Sequence, residues 1–142
     1  MHDEFLFVYG TLRRAIGHAM HQVLVRHCEY VDDGWIQGQL YQIAHYPGAI
    51  ATDDPHDRVH GEVYRIIHAE QVLPVLDDYE ECAQTHPQPH EYLRRQLPVS
   101  LAQTGEVSAW VYLYNRDVAP LTRIDSGDFL AGGPGDPDPG PR

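Results

Sequence analysis

The chain has 142 residues with 21 acidic and 10 basic side chains, which gives a formal net charge of −11. This length suffices for one domain with its own core, and the negative field disfavours nucleic acid and anionic membranes as partners. No basic leader and no apolar run near the roughly 20 residues of a membrane span are present, so we expect a cytoplasmic protein. Cys28 and Cys82 lack CxxC-type spacing, which favours reduced thiols over a disulfide.

The first predicted element is an apolar strand over residues 5–9 that stops at Gly10 and is followed by Thr11, Leu12 and Arg13. A glycine allows a turn that a residue with a Cβ would resist, and such a turn can expose backbone N–H groups. Most strand ends of this kind are ordinary turns, so the segment alone does not establish a site.

The next segments predict a helix followed by several strands. Residues 19–28 favour a helix with Met20, Val23, Leu24 and His27 near one face, and residues 30–43 are rich in strand formers. A turn is expected at 46–49, a short strand at 49–51, a loop at 52–58 and a strand at 59–67.

One pattern recurs in three predicted strands: a small residue, an aliphatic residue two positions later, and then a tyrosine. Because strand side chains alternate between faces, the tyrosine lies on the face opposite the other two. Small residues inside strands often mark close approach where a sheet curls into a barrel. The pattern occurs at Gly38-x-Leu40-Tyr41, Gly61-x-Val63-Tyr64 and Ala109-x-Val111-Tyr112.

Residues 69–82 give the clearest helical pattern, with an apolar stripe of Val72, Val75, Leu76 and Tyr79. Proline fits the first turn of a helix better than its interior, so Pro74 predicts that the regular helix begins near Leu73. A loop over 84–90 follows, then strands over 92–101 and 107–114 joined by a turn at 103–105 as a hairpin. We expect one domain over 1–130 and a flexible Gly/Pro-rich tail over 131–142.

The helix ends in a cluster of acidic residues, of which one is directed toward the apolar face. At roughly 100° per residue, Glu80 falls between Leu73 and Leu76, whereas Asp77, Asp78 and Glu81 point progressively away. Desolvation at the edge of a core raises a carboxyl pKa and suits it to general acid–base chemistry near neutrality. The alternative is an ordinary ion pair with Arg94 or Arg95.

Ten histidines raise the possibility of a metal site, with His18/His21 at helical spacing and His86/His90 flanking a proline loop. Neither pair matches a known ligand signature, so no metal is expected. Nucleotide-binding glycine motifs are absent from the sequence, and no histidine is tied by spacing to either cysteine as a catalytic partner.

Taken together, three separated segments resemble the γ-glutamylcyclotransferase-like family. They are Val8-Tyr9-Gly10-Thr11-Leu12-Arg13, Leu76-Asp77-Asp78-Tyr79-Glu80, and Tyr92-x-Arg94 followed by Ala109-Trp110-Val111-Tyr112. The segments Tyr46-Pro47-Gly48-Ala49 and Ser126-Gly127-Asp128-Phe129 are also similar to that family, so the resemblance covers about 5–129. One departure is Glu81, where the family often has glycine.

The resemblance implies an α+β fold, a small mixed or antiparallel β-barrel flanked by short helices. It also implies an enzyme that cyclises a γ-glutamyl amide to 5-oxoproline and releases an amine, with no cofactor and no metal. Glu80 would be the general acid/base, and the substrate-binding residues would be Tyr9, Gly10, Thr11, Leu12, Tyr92 and Tyr112. The expected partner is a small γ-glutamyl molecule, and a monomer is the working expectation. A non-catalytic γ-glutamyl-binding module of the same fold is the alternative, favoured by Glu81.

Overall fold

A closed five-stranded barrel forms the centre of the computed structural model, which describes residues 4–10, 12–13, 21–44, 46–80, 90–103 and 105–131. The strands are β1 (Glu4–Val8), β2 (Cys28–Gln42), β3 (Pro47–Ala51), β4 (Arg58–Ile66), β5 (Tyr92–Leu101), β6 (Glu106–Tyr114) and β7 (Thr122–Arg123). The helices of the described ranges are α1 (His21–His27), α2 (Ala69–Tyr79) and a 3₁₀ turn at Phe129–Ala131.

The barrel closes in the order β2-β4-β1-β6-β5 and back to β2. Neighbours pair in antiparallel fashion except β1 and β6, which are parallel, so the barrel is mixed. The length of β2 lets it join the barrel and also carry β3 and β7 on its C-terminal part. The predicted α+β barrel with flanking helices is therefore confirmed.

Two apolar cores lie on opposite faces of the barrel wall, as strand alternation requires. The barrel interior contains Phe7, Ile36, Val59, Val63, Val99 and Val111, all nearly inaccessible to solvent. The outer core packs the helices against the wall and includes Leu6, Leu24, Ile66, Val72 and Leu76. This arrangement brings the end of α2 beside the wall that contains β1.

The recurrent strand pattern behaves as predicted. Leu40, Val63 and Val111 fill the interior, whereas Tyr64 and Tyr112 belong to the outer core. A Cβ at Gly61 would collide with the Val8 carbonyl oxygen, so a small residue is needed where β1 and β4 pair.

Several predicted boundaries differ from the structure. Helix α2 begins at Ala69 with Pro74 in its interior, so the expected start near Leu73 is wrong. The helix ends at Tyr79 rather than at Cys82. The predicted apolar stripe also differs, because Val75 is 44% exposed and Leu73 is buried in its place. Helix α1 ends at His27 because β2 begins at Cys28, and Pro47 and Gly48 belong to β3 rather than to a turn.

The remaining predictions concern segments outside the described residues, the β5–β6 hairpin and the length of the helices. The expected start of α1, the loop over 84–89 and the tail over 132–142 lie outside the described residues. The β5–β6 hairpin is confirmed by pairing from Tyr92↔Tyr114 to Ser100↔Glu106. None of the helices in the described ranges has the length and apolar character required to cross a membrane.

Candidate functional site

Tyr9, the first residue after β1, ties three strands together at one end of the barrel. Its hydroxyl donates a hydrogen bond to the Tyr112 carbonyl oxygen of β6 at 2.6 Å and accepts one from the Ala49 N–H of β3 at 3.1 Å. The ring is buried, and this burial, followed by the charge of Glu80, raises the pKa of the Tyr9 hydroxyl. Tyr9 therefore fixes the point at which the chain leaves β1.

Gly10 follows in close contact with Pro47. A Cβ at Gly10 would stand 2.7 Å from Pro47 Cγ, so only glycine allows the turn to approach this ring without a shift. The Arg13 N–H donates to the Gly10 carbonyl at 3.0 Å and closes the turn. The Tyr92 hydroxyl donates to the Pro47 carbonyl oxygen at 2.7 Å, so Pro47 joins the Gly10 turn to the start of β5.

Glu80 lies at the C-terminal end of α2, close to this junction. Its φ of −85° and ψ of 2° depart from helical values, but its N–H still donates to the Leu76 carbonyl at 2.8 Å. The helical hydrogen-bonding pattern therefore reaches Glu80 although the regular helix ends one residue earlier. Burial, with a smaller contribution from the charge of Glu91, raises the pKa of Glu80 to about 8.

The electrostatic neighbours of Glu80 define a cluster of tyrosines and one further carboxylate. Its charge contributes to the raised pKa of both the Tyr9 and the Tyr92 hydroxyls, after the larger effect of burial. Glu80 is therefore within electrostatic range of both Tyr9, after the end of β1, and Tyr92, at the start of β5. No Arg, Lys or His of the described ranges forms an ion pair with it.

The neighbouring acid Asp77 takes the ordinary ion pair considered for Glu80. Arg94 donates from Nε to Asp77 Oδ1 at 2.8 Å and from Nη2 to Oδ2 at 3.1 Å. The Tyr112 hydroxyl also donates to Asp77 Oδ1, at 2.7 Å. The guanidinium of Arg94 is therefore bound to Asp77, which lies about one helical turn before Glu80.

A buried charge network supports the Gly10 turn from the other side. Arg13 is 7% exposed; its Nη1 donates to Asp128 Oδ1 at 2.8 Å, and its Nε lies 3.5 Å from Glu62 Oε2. The Tyr64 hydroxyl donates to the second oxygen of Glu62 at 2.9 Å. The network links the turn after β1 to β4 and to the segment before the C-terminal 3₁₀ turn.

Comparison with known proteins gives the same family that the sequence resembles. The family model described as "Gamma-glutamyl cyclotransferase, AIG2-like" matches residues 6–131, which is most of the chain. The chain belongs to the γ-glutamyl cyclotransferase family. The Gly10 turn, Glu80 and the Arg13 network all lie inside the matched range.

Individual members of this family are similar over nearly their full length. The γ-glutamylcyclotransferase family protein ytfP of Citrobacter rodentium is 41% identical over 127 residues, which cover 88% of this chain and 94% of that protein. The crystal structure of an AIG2-like protein from Mus musculus superposes with a TM-score of 0.75 at 26% identity, covering 100% of this chain and 98% of the other.

A third relative contains this fold as part of a longer chain. The crystal structure of YkqA from Bacillus subtilis matches with a TM-score of 0.69 at 25% identity, covering 92% of this chain. The match spans 40% of YkqA, so the fold accounts for less than half of that protein.

Among the residues assigned to the site through the γ-glutamyl cyclotransferase resemblance, Gly10 and Tyr92 both contact Pro47, and Glu80 lies within electrostatic range of Tyr9 and Tyr92. Leu12 is 4% exposed and packs in the outer core, so its side chain anchors the turn. Tyr112 presents its carbonyl oxygen to Tyr9, while its hydroxyl is directed to Asp77. Thr11 lies outside the described residues, as does Glu81.

Two nearby residues of this family member were not expected at the site from sequence. The Tyr46 hydroxyl donates to Glu91 Oε2 at 2.6 Å. After the larger effect of burial, the charge of Glu91 contributes to the raised pKa of Glu80, Tyr92 and Tyr114. The only sequence signal was that Tyr46 and Tyr92 lie in segments typical of the family, with Glu91 adjacent to one of them. No group of three or more potential metal-ligating side chains occurs among the described residues; His18 and His86 are outside them.

Proposed function

We propose that the protein is an enzyme that cyclises a γ-glutamyl amide to 5-oxoproline and releases an amine, with Glu80 as general acid and base. The α-amino group of the substrate attacks its own side-chain carbonyl carbon, so both reacting groups belong to one molecule. Such a reaction depends on holding the substrate in a folded conformation more than on an external nucleophile. Family membership supports the reaction class.

The observation that carries the proposal is the half-buried carboxyl of Glu80, which lies within electrostatic range of Tyr9 at the end of β1 and has no ion-pair partner among the described residues. Glu80 has a pKa of about 8, so its protonated and ionised forms are both populated between neutral and mildly alkaline pH. A group of this kind can accept a proton in one step and return it in the next. Asp77, three residues earlier on α2, is already paired with Arg94.

The proton transfers follow from this assignment. Ionised Glu80 removes one proton from the substrate ammonium, and the resulting amine forms a C–N bond to the γ-carbonyl carbon. The attacking nitrogen of the tetrahedral intermediate still carries two protons and releases one of them to water. The oxyanion then re-forms the carbonyl and the original amide C–N bond breaks, as protonated Glu80 returns its proton to the leaving nitrogen. The products are 5-oxoproline and the free amine, and Glu80 is again ionised.

The turn at Gly10 is assigned the second task, holding the substrate by backbone N–H groups. Pro47 and Tyr92 fix this turn on one side, and Arg13 fixes it on the other. Preorganised N–H donors stabilise a carboxylate or a developing oxyanion without reorganisation cost. Tyr9 and Leu12 anchor the turn, while Thr11 and Tyr112 remain proposed contacts.

The test uses purified protein with a panel of γ-glutamyl amides and measures 5-oxoproline formation. We expect product from the wild type, a loss of at least about 100-fold in Glu80→Gln, the range of a general acid–base group, and near-normal rates in Glu70→Gln. Glu70 is exposed in the first turn of the same helix and is the matched control. No product from any substrate, or equal rates for the wild type and Glu80→Gln, would contradict the proposal.

A non-catalytic binding module makes a different prediction in the same experiment. It would show thermal stabilisation by a γ-glutamyl amide with no 5-oxoproline released. Product formation and its dependence on Glu80 therefore separate the two functions.

A further inference from the structure

Asp77, in the last turn of α2, is bonded to two barrel strands at once. Arg94 of β5 donates to both of its carboxylate oxygens, at 2.8 and 3.1 Å. The Tyr112 hydroxyl of β6 donates to Oδ1 at 2.7 Å. Arg94 and Tyr112 are directly paired in the β5–β6 ladder, so both donors reach Asp77 from one position on the barrel wall. We call these three residues the Asp77 anchor.

The guanidinium of Arg94 is also held from the barrel side. Its Cζ lies 4.5 Å from the centroid of the Trp110 ring on β6. The indole N–H of Trp110 in turn donates to Glu4 Oε1 of β1 at 3.1 Å. Stacking on an aromatic ring and bidentate bonding to a carboxylate both restrict the orientation of a guanidinium. The position of this group is therefore set by the barrel as well as by α2.

Helix α2 has few directional bonds of its own to fix where it ends. It has 11 residues, its N-cap His68 makes no side-chain capping bond, and Pro74 lies in its interior. A helix of this length is marginal in isolation, and a proline removes one of its internal hydrogen bonds. Apolar burial holds the helix against the wall but is non-directional, whereas a bidentate charge-assisted bond selects one geometry. The Asp77 anchor supplies that geometry for the last turn.

The Asp77 anchor connects the two parts of the candidate site. On the helix side, Glu80 follows Asp77 by three residues, and the helical hydrogen bonding reaches Glu80. On the barrel side, the Tyr112 carbonyl oxygen accepts the hydrogen bond of the Tyr9 hydroxyl at 2.6 Å. Tyr112 is therefore bonded through its side chain to the turn that leads to Glu80, and through its backbone to the residue before Gly10.

We propose that Asp77 is a positioning residue that acts through Glu80, by fixing the last turn of α2 relative to the Gly10 turn. This inference rests on the proposed cyclotransferase function for its purpose. Proton transfer requires Glu80 within hydrogen-bond reach of a substrate held at the Gly10 turn. A displacement of about 1 Å between a catalytic group and its substrate can cost about 100-fold in rate. Asp77 itself exchanges no proton in this scheme.

The first test measures kcat and KM in Asp77→Asn and Arg94→Met, with a γ-glutamyl amide that the wild type converts. Each change weakens the bonding of α2 to the barrel and leaves the Gly10 turn in place. We expect kcat to fall about 10- to 100-fold, and KM to change by less than about threefold. A structural role alone would reduce the amount of folded protein but not kcat per folded molecule. A normal kcat in both variants, or a loss confined to KM, would overturn the inference.

Two controls match these substitutions, and Arg94→Met keeps the test decisive where Asp77→Asn does not fold. Glu70→Gln exchanges a carboxylate for an amide in the first turn of α2, and Arg95→Met makes the arginine change at the next, exposed residue of β5. Both should retain a near-normal kcat. Losses as large as those of the test variants would overturn the inference.

The double variant Asp77→Asn/Arg94→Met separates position from charge. It removes both charges of the pair, so the net charge of the pair stays at zero as in the wild type. Because either single change breaks the same contact, the double variant should be no more than about threefold slower than Arg94→Met. Recovery of the wild-type kcat would show an effect of charge, and fully additive losses would show two separate effects. Either result would overturn the inference.

The second test needs no substrate and follows amide hydrogen exchange by NMR. In Arg94→Met the Glu80 N–H should exchange about tenfold faster than in the wild type, whereas the Val63 N–H in the central part of β4 should change little. Equal acceleration at both amides, or none at Glu80, would overturn the inference. If the wild type forms no product while the Glu80 N–H responds, the proposed function fails and the anchoring of α2 by Asp77 stands.

Discussion

Replacement of Glu80 by glutamine should stabilise the folded protein at alkaline pH while it removes the proposed activity. The pKa of Glu80 is raised from 4.5 to about 8, first by burial and then by the charge of Glu91. A carboxyl whose folded-state pKa is raised favours the folded state while it is protonated. The free energy of unfolding therefore falls as the pH rises from about 4.5 to about 8, because the unfolded chain releases the proton and the folded chain retains it.

The magnitude follows from the width of this interval. About 3.5 pH units at 1.36 kcal/mol per unit gives a ceiling of about 5 kcal/mol. Glu80 is half-buried, so solvent screening reduces this ceiling, and we expect about 2–3 kcal/mol. Glutamine has a similar shape and does not ionise, so Glu80→Gln should show almost none of this loss.

Urea unfolding of the wild type and Glu80→Gln at pH 5 and pH 9 measures the effect as a double difference. Relative to the wild type, Glu80→Gln should gain about 2–3 kcal/mol in the free energy of unfolding between these pH values. Glu70→Gln, with an exposed carboxyl on the same helix, should gain little. A gain for Glu80→Gln no larger than that of Glu70→Gln would refute the reasoning, because Glu80 would then titrate like a solvated acid.

Two further predictions concern the supports of the Gly10 turn. Arg13→Met should destabilise the fold by about 3–5 kcal/mol because Glu62, 3% exposed, loses its guanidinium partner. Urea unfolding should show that the double variant Arg13→Met/Glu62→Gln regains part of the lost free energy of unfolding. A double variant no more stable than Arg13→Met would contradict this. Tyr9→Phe should cost about 1–3 kcal/mol because the Tyr112 carbonyl and the Ala49 N–H both lose a buried partner. Thermal unfolding should show a smaller loss for Tyr41→Phe, whose hydroxyl donates to the part-buried Gln39 side chain, and equal losses would refute the assignment.

The parts of the fold that follow local periodicity could be predicted from sequence. Alternation along β4 and β6 assigned Val63 and Val111 to one face and the following tyrosines to the other, and the two cores reproduce this division. The angle predicted for Glu80 rests on the same kind of local periodicity. Its N–H still bonds the Leu76 carbonyl, so the helical hydrogen-bonding pattern persists beyond the helix end.

Helix α2 shows where a local rule was overridden by packing. Pro74 lacks the N–H that would bond the Glu70 carbonyl, which normally ends or delays a helix. Both Pro74 and Glu70 are exposed, so water can solvate that carbonyl, while Val72 and Leu73 are buried by continuing the helix through the proline. The cost on the solvent side is offset by apolar burial on the other side.

The contacts that complete the candidate site could not be predicted because they join distant segments. Tyr46 and Glu91 are 45 residues apart, and Arg13 and Asp128 are 115 residues apart. Neither pair has a spacing rule, since each depends on how β3, β5 and the C-terminal segment meet the barrel. Sequence therefore selected the Gly10 turn and Glu80 as candidates but could not predict the Tyr46–Glu91 and Arg13–Asp128 contacts, which form only when the barrel closes.

The acidic residues near the candidate site are of two kinds: those that form an ion pair with an arginine, and those that have no cationic partner among the described residues. Glu62 pairs with Arg13, Asp77 with Arg94 and Asp57 with Arg123, as expected for carboxylates withdrawn from water. Glu80 and Glu91 have no such cation among the described residues and are surrounded by tyrosines instead. Stability alone would favour an apolar residue or a paired acid at these positions. The ammonium of the proposed substrate would supply a positive charge to the two carboxylates, which lack a cationic partner in the part of the chain that the structure describes.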